Sequence, residues 1–178
     1  MSDIEATSEP GPDVDPRDLD AIERQLGRRP RGVVRVAHRC PCGEPDVVMT
    51  RPRLDDGTPF PTLYYLTCPR AAAAIGTLES SGLMRDMEAR LAGDPQLAAA
   101  YDQAHLSYVA EREGIEAVPE ISGISAGGMP SRVKCLHVLV GHALAAGPGV
   151  NPLGDEAVDA LGQWWCAQSC AQAASEGA

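Results

Sequence analysis

The chain has 178 residues and a formal net charge of −10 at pH 7, from 25 acidic and 15 basic side chains. This negative charge argues against general nucleic-acid binding, because contacts to phosphates require a surplus of lysine and arginine. No run approaches the roughly 20 apolar residues of a membrane-spanning helix, and the acidic N-terminus is unlike a signal peptide. We therefore expect a cytoplasmic protein with a disordered acidic tail at residues 1–14 and a single domain at residues 15–174.

The first part of the chain predicts one helix and three strands. Asp15-Pro16 is typical of a helix start, and Gly27 is typical of a helix end. Apolar segments bounded by proline, glycine and aspartate then predict strands at residues 32–40, 46–50 and 62–68. In the first strand, the alternating pattern predicts that the side chains on one face are Val34, Val36, His38 and Cys40. Those on the other face are Arg35, Ala37 and Arg39.

The rest of the chain has a helical pattern. It predicts helices at residues 71–81 and 83–92, with Gly82 between them, and a longer helix from Asp94-Pro95 to Glu113. A central helix is expected from Ser131 to Gly147, followed by a last helix from about Asp155 to Ala174. Together these elements predict an α+β fold, in which a small antiparallel three-stranded sheet in the N-terminal half is covered by about five helices.

Six cysteines are present in a chain without a signal peptide, which favours metal or thiol chemistry over a disulfide framework. They are Cys40, Cys42, Cys68, Cys135, Cys166 and Cys170. In a three-stranded meander the first and third strands run in the same direction, so Cys40 and Cys68 are expected at the same edge of the sheet. Cys135 lies near a helix start, and helix starts often converge on such an edge.

We therefore predict a zinc site with the thiolates of Cys40, Cys42, Cys68 and Cys135 as ligands, because four sulfur donors suit tetrahedral zinc. His38 or His137 is the alternative to one of these ligands. Separate buried or surface thiols and a thiol-redox pair are the alternatives. Cys166 and Cys170 are four residues apart on the predicted last helix, and we interpret them as structural or incidental.

A glycine-rich segment before the central helix predicts an anion site for phosphate or carboxylate, because backbone amides and two cations meet at a helix start. Its residues are Gly127, Gly128, Ser131, Arg132 and Lys134. The spacing is not that of a P-loop. The alternative is a loop that needs small residues for close packing. Residues 24–53 are also rich in arginine, which suits either recognition of a carboxylate or phosphate, as on an acidic partner, or a solvated face that pairs with the acidic N-terminal residues 1–23.

Three motifs together resemble a bacterial family described as domain of unknown function 501, found mainly in actinobacteria. They are RGVVRVAHRCPCGEPDVV, DGTPFPTLYYLTCP and SAGGMPSRVKCLHVLVGHALAAGPGVNPLGD, and the resemblance runs from about Leu19 to Trp165. The family has no established activity, so the resemblance implies no catalytic residues. Its members commonly lie near genes for a septum-formation initiator and an exopolyphosphatase, which implies an association with cell division. It also implies that Cys40 and Cys135 are typical, that Cys42 varies, and that position 68 alternates between cysteine and histidine. These patterns favour Cys40, Cys68 and Cys135 as zinc ligands, with His137 or water as the fourth ligand in place of Cys42.

Our leading hypothesis is a Cys/His pocket that binds zinc beside the anion site and hydrolyses an anionic small molecule, with an open metal position that activates water. Whether the protein is an enzyme stays open, because no catalytic signature is complete. The alternative is a non-enzymatic adaptor of cell division, in which the cysteines are structural and the arginine-rich face binds an acidic protein.

Overall fold

The structure, a computed structural model, describes residues 14–172. Its strands are β1 (Val33–Arg39), β2 (Pro45–Thr50) and β3 (Tyr64–Leu66). Its helices are α1 (Pro16–Leu26), α2 (Pro69–Ser80), α3 (Leu83–Gly93), α4 (Pro95–Ile115), α5 (Leu136–Ala146) and α6 (Pro152–Leu161), with a 3₁₀ turn at Pro119–Ile121. A three-stranded antiparallel sheet in the N-terminal half therefore packs with helices, and the predicted α+β fold is confirmed.

The sheet has the order β1-β2-β3, so β2 is central and β3 is an edge strand. All six residues of β2 are buried, because the sheet is covered on both faces. Val47 and Met49 belong to the main core, which α2 to α6 complete, whereas Val48 packs with Ile22 of α1 on the opposite face. The two sides of the sheet thus have separate apolar cores of very different size.

The predicted alternation of β1 is wrong in detail. Val34 and Ala37 were expected on opposite faces, yet both pack against the main core. The cause is an irregular register with β2, which shifts between Val33 and Arg35 and again between Val36 and His38. Such bulges turn successive side chains away from strict alternation.

Helix α5 packs against the sheet on one side and against α6 on the other. Gly141 permits the first contact, since a Cβ there would lie 3.2 Å from the carbonyl oxygen of Tyr64. Gly154 permits the second, since a Cβ there would collide with the carbonyl oxygen of Leu139 and lie 2.9 Å from the Cβ of Ala143. Two glycines therefore set how closely α5 approaches its neighbours.

The central helix begins later than predicted. Its N-cap is Cys135 rather than Ser131, which is exposed in the preceding loop. The amides of Arg132 and Lys134 donate to the carbonyls of Gly128 and Gly127, both at 2.8 Å, and so fold the segment into a turn instead of a helix. The end of the helix at Gly147 agrees with the prediction.

The last helix ends much earlier than the predicted Ala174. It stops at Leu161, where Gly162 has a φ of +60°. The following segment, residues 162–172, is not helical, and we call it the C-terminal segment. It packs Trp164, Trp165 and Cys170 near Cys40 and Cys68.

Most of the predicted tail lies outside the described residues, except for Val14, which is buried beside α1. Residues 173 and 174 of the predicted domain also lie outside them. No helix within residues 14–172 is long and apolar enough to cross a membrane.

Candidate functional site

Three cysteines meet where β1 and β3 end. The sulfurs of Cys40, Cys68 and Cys170 all lie within 4.8 Å of one another, and the three side chains are buried. Cys42 joins this group, because its sulfur lies 3.5 Å from that of Cys170 and it also interacts with Cys40. None of the six cysteines is in a disulfide. We call Cys40, Cys42, Cys68 and Cys170 the cysteine cluster.

Local structure explains why these sulfurs converge. Cys40 and Cys42 lie in the tight turn between β1 and β2, where the amide of Gly43 donates to the carbonyl of Cys40 at 2.8 Å. Cys68 follows β3 and is the N-cap of α2. Cys170 arrives on the C-terminal segment, where the side-chain amide of Gln25 donates to its sulfur at 3.1 Å. Burial raises the pKa of Cys40 to about 12, while a hydrogen bond from the Cys170 thiol lowers that of Cys68 to about 7.

The structure divides the four predicted zinc ligands between two places. Cys40 and Cys68 belong to the cysteine cluster, but Cys135 and His137 lie with Glu79 in a second group, whose ligand-type atoms are also within 4.8 Å of one another. All four predicted ligands are therefore not found in one group. The reason is that α5 starts beside the C-terminal part of α2, where Glu79 lies, whereas Cys68 stands at the beginning of α2.

Glu79 organises the second group. Its Oε1 accepts the backbone amide of Leu136 at 2.8 Å and faces Nδ1 of His137 at 3.1 Å. Nε2 of His137 faces the carbonyl oxygen of Ala72 at 3.3 Å. Cys135 completes the group, because its sulfur lies within 4.8 Å of the ligand-type atoms of His137 and Glu79. We call Cys135, His137 and Glu79 the Cys-His-Glu triad.

The triad favours a charged pair of thiolate and imidazolium. The interaction of His137 with Cys135, followed by its hydrogen bond with Glu79, raises the pKa of His137 to about 9, although partial burial acts in the opposite direction. The same interaction with His137 lowers the pKa of Cys135 below the ordinary thiol value of 9.0. Cys135 also stands at the positive end of α5, which favours an anion.

The triad opens onto a cleft of about 530 Å³ that runs along the edge strand β3. Among the described residues that line it are Cys135 and His137, and none is an arginine, lysine, aspartate or glutamate. Its walls are Gln25, Leu26, Thr62, Tyr64, Tyr65, Leu66, Thr67, Pro69, Ala72 and Val138. The cleft is therefore largely uncharged apart from the triad.

The predicted anion loop lies beside two backbone amides that already have carboxylate partners. Near the start of α5, the backbone amide of Val133 donates to the carboxylate of Glu88 at 3.0 Å, and the backbone amide of Leu136 donates to that of Glu79. Arg132 also lies 3.7 Å from Glu88, while Ser131 and Lys134 are exposed.

The two glycines of this loop serve close packing, which was the alternative interpretation. A Cβ at Gly127 would lie 3.0 Å from the side chain of Val138, and one at Gly128 would lie 2.8 Å from the carbonyl of Arg132. These contacts fix the position of the segment against Val138 of α5.

The remaining histidines have partners within the fold. His142 is completely buried, stacks on Tyr64, and has Nδ1 3.2 Å from the side-chain amide of Asn151, as expected of a hydrogen-bonded core histidine. Burial lowers its pKa to about 4. His38, considered as a zinc ligand, instead faces the buried Asp46 at 2.7 Å.

Arginines of the basic stretch also pair within the molecule. Arg39 binds Asp18 at 2.7 Å and Arg31 binds Asp56 at 2.9 Å. The first pair joins the basic stretch to the acidic N-terminal residues, as the alternative to a docking site expects, whereas Asp56 of the second pair lies outside those residues.

A family model described as "Protein of unknown function (DUF501)" matches residues 36–159. The chain belongs to this family. No curated protein and no solved structure matches the chain. The matched region contains the whole Cys-His-Glu triad and three residues of the cysteine cluster, whereas Cys170 lies beyond its end.

Sequence reasoning missed two members of these groups. Glu79 carries no signal in the sequence, because a glutamate in a helix is ordinarily a solvated residue. Cys170 had a signal, since it is one of only six cysteines. Because the last helix was predicted to continue to Ala174, Cys170 was not expected near the sheet. In the structure α6 ends at Leu161, and the segment that follows returns Cys170 to the sheet.

Proposed function

We propose that the protein is a cysteine-dependent hydrolase or acyltransferase, with Cys135 as nucleophile, His137 as proton donor and Glu79 as the residue that orients His137. The observation that carries this proposal is the Cys-His-Glu triad, which forms at a helix start and lines a cleft. A nucleophile, a base and an orienting acid in hydrogen-bond contact are the arrangement that covalent catalysis needs.

Hydrogen-bond partners alone indicate the charge of His137. Nδ1 faces a carboxylate and Nε2 faces a carbonyl, and both of these groups only accept hydrogen bonds. Each ring nitrogen therefore needs a proton, which makes the ring an imidazolium. This cation stabilises a thiolate on Cys135, and a thiolate is the reactive form of cysteine.

The chemistry follows from these charges. The thiolate of Cys135 attacks a carbonyl carbon and forms a carbon–sulfur bond, while His137 transfers its proton to the leaving oxygen or nitrogen as the bond to that atom breaks. A water molecule then attacks the thioester with His137 as base, which releases the acid and restores the proton to His137. Acyl transfer differs only in that another nucleophile replaces water.

The cleft favours an uncharged, extended substrate. Its lining lacks arginine and lysine, so the anionic small molecule expected from the sequence finds no cation there besides His137. One wall is β3, whose second edge pairs with no strand of the described sheet. An extended peptide-like chain can pair with such an edge, and we propose this class of substrate.

A zinc ion bound to the triad is the second candidate, in line with the hydrolytic zinc site expected from the sequence. It is favoured by the bond from Nε2 of His137 to Ala72, because this bond leaves Nδ1 for a metal and is typical of zinc-bound histidine. Three protein ligands beside a cleft leave a position for water. The triad thus holds either a proton or a metal ion between its three groups.

Alkylation of the intact protein tests the nucleophile. We expect iodoacetamide to modify Cys135 at pH 7 at least tenfold faster than the exposed Cys166, as measured by peptide mass spectrometry. His137→Gln should slow modification of Cys135 by a similar factor and leave Cys166 unchanged. Cys166 is the internal control, because it lies in the same chain without a histidine partner.

Acylation tests catalysis. With p-nitrophenyl acetate we expect a burst of one p-nitrophenolate per chain, absent in Cys135→Ser and retained in Cys166→Ser. As the pH is raised, the rate of p-nitrophenolate release should first rise, because Cys135 ionises with a pKa below the usual 9.0 of a thiol. It should fall again near pH 9, because His137 then loses its proton. Equal alkylation of the two thiols would refute the proposal. A zinc ion that is lost in Cys135→Ser would favour the second candidate.

A further inference from the structure

The cysteine cluster is independent of the triad and has no part in the proposed catalysis. It lies at the other end of α2, where Cys68 is the N-cap, and it involves none of the triad residues. Its four sulfurs come from three separate parts of the chain, namely the β1–β2 turn, the start of α2 and the C-terminal segment. A convergence of this kind brings four soft ligands together in a largely buried place.

We propose that Cys40, Cys42, Cys68 and Cys170 bind one zinc ion with all four coordination positions filled by sulfur, and that this ion fastens the C-terminal segment to the sheet. Tetrahedral zinc with zinc–sulfur bonds of about 2.3 Å requires sulfur–sulfur distances of about 3.8 Å. The distance of 3.5 Å between Cys42 and Cys170, and the upper limit of 4.8 Å among Cys40, Cys68 and Cys170, fit this requirement.

The surroundings suit a negatively charged metal–thiolate centre. Helix α2 begins at Cys68 and directs the positive end of its dipole towards the sulfurs. The side-chain amide of Gln25 donates to the sulfur of Cys170 at 3.1 Å. Donors of this kind stabilise thiolate ligands and tune their charge. Trp164 and Trp165 pack against the cluster and shield one side from water.

A site with four protein ligands and no open position is structural rather than catalytic. Its structural task follows from the position of Cys170, which is 128 residues later in the chain than Cys42. Polar contacts also join the C-terminal segment to the rest of the fold. Ser169 donates to Glu44 at 2.5 Å, and Arg70 donates to the carbonyl of Gln168 at 2.8 Å. A metal bridge between such distant residues is therefore expected to hold the segment in place.

Elemental analysis of the full chain, purified without immobilised metal, tests the site. We expect one zinc per chain, lost in Cys170→Ser and kept in Cys166→Ser, which changes an exposed thiol four residues away. Cys135→Ser should keep this zinc, so failure of the proposed catalysis and failure of the zinc site are distinguished. A protein without zinc, or a Cys170→Ser variant that retains it, would overturn the proposal.

Cobalt substitution provides a measurement that does not depend on the folding of a variant. Co²⁺ added to the zinc-free protein should give the intense sulfur-to-cobalt charge-transfer bands of four thiolates, and weaker bands of three in Cys42→Ser. Bands of two thiolates or fewer in the unaltered protein would overturn the proposed ligand set. So would a disulfide between Cys42 and Cys170 in freshly purified protein, or stoichiometric iron in place of zinc.

Discussion

At the scale of single residues, the two cysteines that follow β1 and β3 differ from the one at α5 in what surrounds them. Cys40 and Cys68 are buried among other sulfurs, whereas Cys135 is half-buried beside a histidine and a cleft. A thiol among thiols suits metal binding, and a thiol beside an imidazolium suits nucleophilic attack. The same side chain therefore supports two kinds of chemistry in one small protein.

His142 illustrates the opposite case, a histidine that burial keeps neutral. Nδ1 accepts a hydrogen bond from Asn151, and no partner for Nε2 is found among residues 14–172. Its pKa of about 4 lies below the value of 6.5 for an unfolded histidine. Between these two values the unfolded chain binds more protons than the folded chain.

We therefore expect the free energy of unfolding to fall as the pH drops from about 6.5 to 4. The loss attributable to His142 is at most roughly 3 kcal/mol, from about 1.36 kcal/mol per pKa unit. Urea unfolding at pH 7, 6 and 5 measures it. His142→Gln keeps an acceptor for Asn151 and removes the titration, so its stability should depend less on pH in this range. An unchanged dependence would contradict the assignment.

At the scale of elements, α5 is the helix on which the triad depends. It is held between the sheet and α6, and its start is fixed by carboxylates from α2 and α3. Two close approaches at glycines leave little freedom for a shift along its axis. Residues 135 and 137 are thus placed by the packing of the whole helix as well as by their own contacts at its start.

Gly154→Ala tests this packing. The added Cβ would collide with the backbone of α5, so we expect a loss of about 1–3 kcal/mol of stability in urea unfolding. Gly76→Ala is the matched control, because Gly76 lies on α2 and a Cβ added there would meet nothing within 4 Å. That change should stabilise the protein by about 0.5–1 kcal/mol through helix propensity. Equal effects of the two substitutions would show that α6 does not press on α5.

At the scale of the whole molecule, the cysteine cluster is where the C-terminal segment contacts the N-terminal half of the chain. The C-terminal segment returns to the β1–β2 turn and α2, where Trp164 and Trp165 pack beside the sulfurs. These are the only two tryptophans of the chain. Intrinsic fluorescence therefore reports this corner, while circular dichroism reports the helices.

With zinc bound, we expect the two signals to change at the same urea concentration, because the metal couples the segment to the rest of the fold. After removal of zinc by a chelator, fluorescence should change first and the helical signal later, since the segment then opens locally. Re-addition of zinc should restore a single transition. Coincident transitions without zinc would show that other contacts suffice to hold the segment.

The sequence by itself determined the elements whose ends are marked locally. Asp15 and Asp94 cap α1 and α4 as predicted, and Gly82 separates α2 from α3, because capping and glycine effects act within a few residues. The three strands and their antiparallel order also followed from alternation and turns. Membership of the family was implied by motifs that are readable in the sequence.

Only the tertiary structure decided which chemical groups meet. Cys170 joins Cys42 across 128 residues, and Glu79 reaches His137 across 58, at separations that no local pattern encodes. The division of the predicted zinc ligands into two groups depends on where α5 starts beside α2, and there Glu79 of α2 accepts a hydrogen bond from the amide of Leu136. Local propensity therefore specifies the elements, whereas the burial of complementary surfaces specifies the sites.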